Sequence, residues 1–277
     1  MHRLIQLTKQ ATAENATLPF AVYSSYKQQN LLNVPVVKPL FIAILSGDKE
    51  LGAHHAITCH AGDFIFLSDS PTIDMRNIPK DKEYLALLIE FEYQDFSGLK
   101  INHFEPVTGG SNYCVGEITA TLNTCLQQFV EWTRYAPEAL WPLRRKEIIQ
   151  LLCHMGHEAV LSQVSNNKIS QKIHQLISQQ QTIMPIEEEL TLAYFCDQLA
   201  VSESTLRRKL KAEATSLQEI KDQVKLGLGL HLLQTTQHAI RYISEQCGYQ
   251  SQSRFTERFK ARFGITPSEL RKTKMTD

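Results

Sequence analysis

The chain has 277 residues, 43% of them apolar, enough to bury a sizeable core and long enough for two domains. Lys plus Arg and Asp plus Glu are equal at 29 each, so the total charge points to no polyanion, membrane surface or acidic substrate. Six scattered cysteines, with no C-x-x-C pair, argue against a zinc finger and read as reduced, cytosolic thiols.

The charge is unevenly divided. Residues 168–277 hold 16 basic and 12 acidic side chains, and residues 1–167 hold 13 and 17, so one half favours a polyanion and the other does not. The start, MHRLIQLTKQATAENATLPF, lacks the apolar core of a secretion signal. The longest apolar stretches, near 39–45 and 84–91, fall short of a membrane span. A cytoplasmic protein without a membrane partner is expected.

From Phe20 to about Glu92, the runs FAVYSSY, VVKPLFIAILSGDKEL, AITCHAGDFIFLSDSPTI and YLALLIEFE are punctuated by Gly47, Gly62, Pro71 and Pro79. Short apolar runs between turn residues predict antiparallel strands in a sandwich or barrel. Lys38, beside an apolar run, reads as a snorkelling surface lysine, with a carboxylate partner as the alternative. After Gly116 the period changes. Ile118, Leu122, Leu126 and Phe129, then Ile148, Leu151, Leu152 and Met155, predict amphipathic helices at about 116–135 and 141–161, parted by Pro137 and Pro142. The polar stretch SQVSNNK, 162–168, breaks the period and predicts a linker between domains 1–163 and 168–277. Beyond it Ile169, Ile173, Leu176 and Ile177 line one face of a helix, with Pro185 past its end.

The rest contains an internal repeat. FCDQLAV at 195–201 aligns with ISEQCGY at 243–249, each apolar, small, polar, polar, apolar, small, apolar. Each copy continues with a serine suited to cap a helix, Ser202 or Ser251, and then an apolar pair four apart, Leu206 with Leu210 and Phe255 with Phe259. This is the grammar of a helix-turn-helix: Cys196 or Ser244 lets two helices approach, and Ala200 or Gly248 occupies the turn. Two such units are predicted, at about 190–213 and 238–263. The second helix of each has one buried stripe, leaving its other faces free to enter a DNA major groove. The first copy surrounds its leucines with Arg207, Arg208, Lys209 and Lys211; the second surrounds its phenylalanines with Gln252, Ser253, Arg254, Thr256, Glu257, Arg258 and Lys260. Between the units, residues 216–236 predict a helix of roughly 30 Å, close to the ~34 Å between successive major-groove faces.

AIRYISEQCGYQSQSRFTERFKARFGITPSELR resembles the signature of the AraC/XylS family of bacterial transcription regulators through Ile243, Gly248, Tyr249, Ser251, Phe255, Phe259, Lys260, Phe263, Gly264 and Pro267. The resemblance covers about 168–272. It implies an α+β protein, with an amino-terminal cupin-like β-barrel bearing two helices, one of them dimerising, and a carboxyl-terminal all-α domain with two helix-turn-helix motifs. AGDFIFLSDSPT at 61–72 is similar to the glycine-led strand of such barrels. By the same resemblance, Ser204, Arg207, Arg208, Gln252, Ser253, Arg254 and Glu257 face base edges, while Lys260, with Lys211, lies at the phosphates. The residue types suit this: arginine donates to guanine, glutamine pairs with adenine and glutamate accepts from cytosine. The implied partners are double-stranded DNA, RNA polymerase, a second copy of the chain, and a small molecule or protein acting on the first domain; no cofactor and no catalysis are expected.

The sequence departs from the family pattern in places. Glu257 stands where arginine is common and is either selective or held by Arg254 or Arg258. Ala200 and Ala214 stand where glycine is usual, and alanine at positive φ costs on the order of 1 kcal/mol. Lys225 replaces an arginine, and Gly227 and Gly229 sit inside the linking helix, each roughly 1 kcal/mol worse than alanine there. The first unit and the rod are therefore expected to be the looser part. The rival class is a cupin-type metal-dependent enzyme fused to a helical domain: HHAITCH places His54 and His60 on one side of a strand. The metal-binding pattern needs H-x-H followed by glutamate, and this spacing lacks it.

Overall fold

The computed structural model describes residues 1–14, 17–52, 57–68, 70–99, 113–162, 164, 168–181 and 190–275. Helix α1 (His2–Glu14) comes first, followed among the described residues by strands β1 (Ala21–Ser25), β2 (Gln29–Val36), β3 (Leu40–Ser46), β4 (Asp48–Leu51), β5 (Ile57–His60), β6 (Asp63–Leu67), β7 (Ser70–Ile78), β8 (Tyr84–Glu90) and β9 (Tyr113–Glu117). One antiparallel sheet runs β1-β8-β3-β6-β9 and a second runs β2-β7-β4-β5. Helices α2 (Ala120–Trp132), α3 (Trp141–His154) and α4 (Ala159–Ser162) follow.

The apolar runs are nearly continuous because the larger sheet is covered on both faces. Along β8, Leu85, Leu87 and Ile89 point into a core shared with Leu4 of α1, Leu126 of α2 and Ile149 of α3. The alternate residues, Tyr84, Ala86 and Leu88, point into a second core with Leu31 of β2, Leu51 of β4 and Met75 of β7. Period two sends successive side chains to opposite faces, so both faces must be apolar.

The β-rich first half and helical second half are as expected, but among the described residues the two sheets do not close into a cupin-like barrel. Among the described residues, no strand is shared between them. Side-chain packing through the second core, not a continuous ladder, holds them together. Lys38 is paired within the protein, its Nζ 2.8 Å from the Glu92 carboxylate. Helix α1 buries Leu4, Thr8 and Ala11, which recur at helical spacing along one face.

The carboxyl-terminal helices are α5 (Ile169–Gln181), α6 (Leu192–Gln198), α7 (Glu203–Ala212), α8 (Leu217–Thr235), α9 (Ile240–Gln246), α10 (Gln252–Phe263) and α11 (Pro267–Lys272). They serve two different cores. Ile169, Ile173, Phe195, Leu206, Leu210, Ile220 and Val224 form a self-contained cluster around α5 to α7 and the start of α8. Leu226, Leu230, Leu233, Ile243, Phe255, Phe259 and Phe263 instead join the core that contains β2. Most of the expected linker, including residues 163 and 165–167, lies outside the described residues, as does Pro185.

Candidate nucleic-acid interface

Both helix-turn-helix units are built by the same local bonds. In the first, the amide of Ala200 donates to the Asp197 carbonyl at 3.1 Å and that of Val201 to Cys196 at 3.0 Å. In the second, Gly248 donates to Glu245 at 2.9 Å and Tyr249 to Ser244 at 3.0 Å. Donors and acceptors alike recur 48 positions later, so the repeat is structural. The turn residues take the same left-handed conformation, φ 50° at Ala200 and 71° at Gly248. Ala214 lies at φ 53° beyond α7, so both alanines carry the expected strain.

The serine caps form as read. The Ser202 hydroxyl accepts from the Thr205 amide and the Ser251 hydroxyl from the Arg254 amide, each at 3.3 Å. Each satisfies an amide left without an intrahelical partner, and such a cap contributes about 1 kcal/mol. Below the caps Leu206 and Leu210, and Phe255, Phe259 and Phe263, are buried. All nine side chains assigned to DNA from the sequence are exposed: Ser204, Arg207, Arg208 and Lys211 on α7, and Gln252, Ser253, Arg254, Glu257 and Lys260 on α10. Arg207 lies 4.0 Å from Glu203, both side chains well exposed, a pairing that holds it weakly.

Helix α8 joins the units. It has 19 residues, about 28 Å at the usual rise, and starts at the Ser216 hydroxyl, which accepts from the Glu219 amide at 3.1 Å. Its two glycines differ. A Cβ on Gly229 would stand 2.8 Å from the Phe255 ring and 3.3 Å from Cys247 Sγ, whereas one on Gly227 would meet only Pro35 at 3.4 Å. Gly229 is the close-approach point of α8 with α9 and α10, so the expected looseness does not apply to it.

Several organising side chains were not singled out from the sequence. Arg258, read there as one of the outward cations, pairs with Asp222 of α8, and Arg262 Nη1 donates to Glu219 at 2.7 Å. Glu257 is therefore not held by Arg258. Acids at 219 and 222 and arginines at 258 and 262 share matching helical spacing, a signal available to a reader who already knows the helices are neighbours. Glu213 caps α5, accepting from the amides of Ile169 at 2.7 Å and Ser170 at 2.9 Å.

A polar chain crosses from the sheets to the helices. Lys49 Nζ donates to Asn77 Oδ1 at 2.7 Å, Asn77 Nδ2 to Gln29 Oε1 at 2.9 Å, and Gln29 Nε2 to Thr273 Oγ1 at 2.7 Å. Gln234 Nε2 of α8 also donates to Gln29 Oε1, at 3.1 Å. Lys49 is buried, and loss of water pushes its pKa down to about 7. His231 of α8 meets Tyr23 OH of β1 at 3.3 Å, and burial lowers its pKa as well.

Among the described residues, no group of three or more His, Cys, Asp and Glu could hold a metal ion. His60 pairs with Asp48 at 2.9 Å, and His54 lies outside the described residues. Among those residues, no helix is long and apolar enough to cross a membrane.

Residues 195–273 match a family described as a helix-turn-helix domain. The chain is 34% identical over 73 residues to the urease operon transcriptional activator of Escherichia coli, covering 26% of this chain and 25% of that one. It is 31% identical over 104 residues to the HTH-type transcriptional regulator YdeO of Shigella flexneri, covering 38% and 39%. The match thus spans about a quarter to two-fifths of these relatives. Over most of its length, the fold is similar to that of ToxT from Vibrio cholerae strain SCE256. An apo lysine-to-alanine variant of ToxT shares 15% identity, with 94% of this chain and 99% of that one covered at a TM-score of 0.68. The wild type with unsaturated fatty acid bound gives 15%, 94%, 97% and 0.66. With the doubled turn and the paired caps, these matches make residues 195–273 a helix-turn-helix domain similar to that of the AraC/XylS regulators the sequence resembles.

Proposed function

We propose that the protein is a sequence-specific DNA-binding transcription regulator, an activator, working in the cytoplasm without catalysis of its own. The observation that carries this is the pair of helix-turn-helix units with one bonding pattern, each presenting a capped second helix whose outer face is exposed and polar. Ser204, Arg207 and Arg208 of α7, and Gln252, Ser253, Arg254 and Glu257 of α10, are the base-reading set. Lys211 and Lys260 neutralise phosphates. Phosphate contacts supply affinity and salt dependence, and base-edge contacts supply sequence choice.

The amino-terminal half supplies control, through a small molecule or a protein partner, with RNA polymerase as the downstream partner and homodimerisation through α2 or α3. Support for a small molecule comes from the likeness of fold to ToxT, one structure of which holds an unsaturated fatty acid. Selection of bound fragments from genomic DNA by the purified protein, with and without candidate fatty acids, tests the reading. A common site whose recovery changes with the additive supports it; recovery of random fragments in every condition refutes it.

A further inference from the structure

The far end of the second reading helix is gripped by the amino-terminal half. Strand β2 breaks register between Leu31 and Val34, and this bulge turns Leu32 and Asn33 outward, as bulges do. Asn33 takes a left-handed φ of 49°, its amide donating to Asp74 Oδ1 at 2.9 Å. Its carbonyl accepts from Arg262 Nε at 3.1 Å, and its side-chain amide donates back to the Arg262 carbonyl at 3.3 Å. Next to it, Leu32 lies 3.0 Å from where a Cβ on Gly264 would be. The same Arg262 guanidinium reaches Glu219 in the first turn of α8.

Three elements therefore meet on one planar fork: the β2 bulge, the start of the linking helix and the last turn of α10. The Arg262 side chain is only 11% exposed, so it is committed inward and stays off any phosphate. The base-facing side chains of α10 sit toward its other end and remain exposed, so the grip leaves the reading face open. Among the described residues, the core of the first unit contains no residue of the sheets.

We propose that Arg262 is the positioning residue through which the amino-terminal sheets fix the angle of the second reading helix. This rests on the DNA-binding reading above. A helix held at the working angle binds without first losing orientational freedom. The two units are thus unequal: the second answers directly to the state of the first half, and the first follows through α8.

The test uses the full-length protein with Arg262→Gln, Asn33→Gly and the double variant. Asn33→Gly keeps the left-handed backbone and deletes the side-chain amide. Titrations use a selected duplex and a scrambled one. Arg262→Gln should bind the selected duplex roughly tenfold more weakly, and the double variant should be little worse than Arg262→Gln, because the two residues act as one unit. Binding to the scrambled duplex, and its salt slope, should stay unchanged. A salt slope smaller by about one would mean a phosphate contact and overturn the proposal, as would losses that simply add. Hydrogen exchange on DNA-free protein supplies a second readout: Arg262→Gln should speed exchange at the β2 bulge and the last turn of α10 while sparing α7. Equal speeding in α7 would mark general destabilisation and overturn it. If the unmodified chain ignores both duplexes, the DNA-binding reading fails, and exchange alone decides the coupling.

Discussion

Gly227 and Gly229 lie two residues apart in α8, and the structure assigns them opposite responses to alanine. In the interior of a helix, glycine to alanine gains about 1 kcal/mol from backbone entropy. At Gly227 nothing opposes this, because the added methyl makes an ordinary 3.4 Å contact with Pro35. Gly227→Ala should therefore stabilise the protein by up to about 1 kcal/mol. At Gly229 the methyl would stand 2.8 and 2.9 Å from the Phe255 ring, which is fully buried and packed edge-on to Tyr249 at a centroid distance of 5.3 Å. Forcing an extra carbon into a filled core costs about 1–3 kcal/mol. Set against the ~1 kcal/mol entropic gain, Gly229→Ala should lose about 1 kcal/mol. Equilibrium urea unfolding, followed by helix circular dichroism and compared at equal m, reads both changes as midpoint shifts. If Gly229→Ala raised the midpoint as Gly227→Ala does, α8 and α10 would not touch as described.

Other perturbations follow from local geometry. Gly248→Ala should fold at a cost of about 1 kcal/mol, since its counterpart Ala200 already carries alanine in that turn. Conversely, Ala200→Gly should gain no more than about 0.5 kcal/mol, the relief of strain being partly offset by the freer unfolded chain; thermal unfolding measures both. Lys49 binds its proton more weakly in the fold, at a pKa of about 7 against an ordinary 10.5. Between these values the unfolded chain holds a proton that the fold does not, so stability rises with pH, by at most about 1.4 kcal/mol per pH unit. Lys49→Met should flatten the stability profile between pH 7 and 10; an unchanged slope would place its origin elsewhere.

The parts legible in the sequence are those set by local rules. Caps at Ser202 and Ser251, the four-residue step of the phenylalanines and the 48-residue offset each follow from one helix or one turn. So does the strain at Ala200 and Ala214, which depends only on a turn that glycine fits best. What sequence reading misses depends on which surfaces meet. YLALLIE reads as a buried strand, but not that its two faces belong to different cores. The period of α8 places Asp222 and Glu219 without revealing that α10 will lie against them, so Arg258 passes for a solvent-facing cation and Arg262 draws no reading. The grip at Asn33 arises from a bulge, and a one-residue irregularity in β2 leaves no mark in the pattern of LLNVPV. Gly229 looks like a weak point in a rod until Phe255 is placed beside it.

The proposed function requires α7 and α10 to read base edges. Its most direct measurement is the affinity of the purified protein, with Arg208→Ala and Arg254→Ala beside it, for a selected duplex and a scrambled one across a salt series. The expected result is a loss of about 1–3 kcal/mol for each variant on the selected duplex and little change on the scrambled one. Equal losses on both would reduce the two arginines to phosphate contacts, and indifference of the unmodified protein to every duplex at low salt would contradict the function itself.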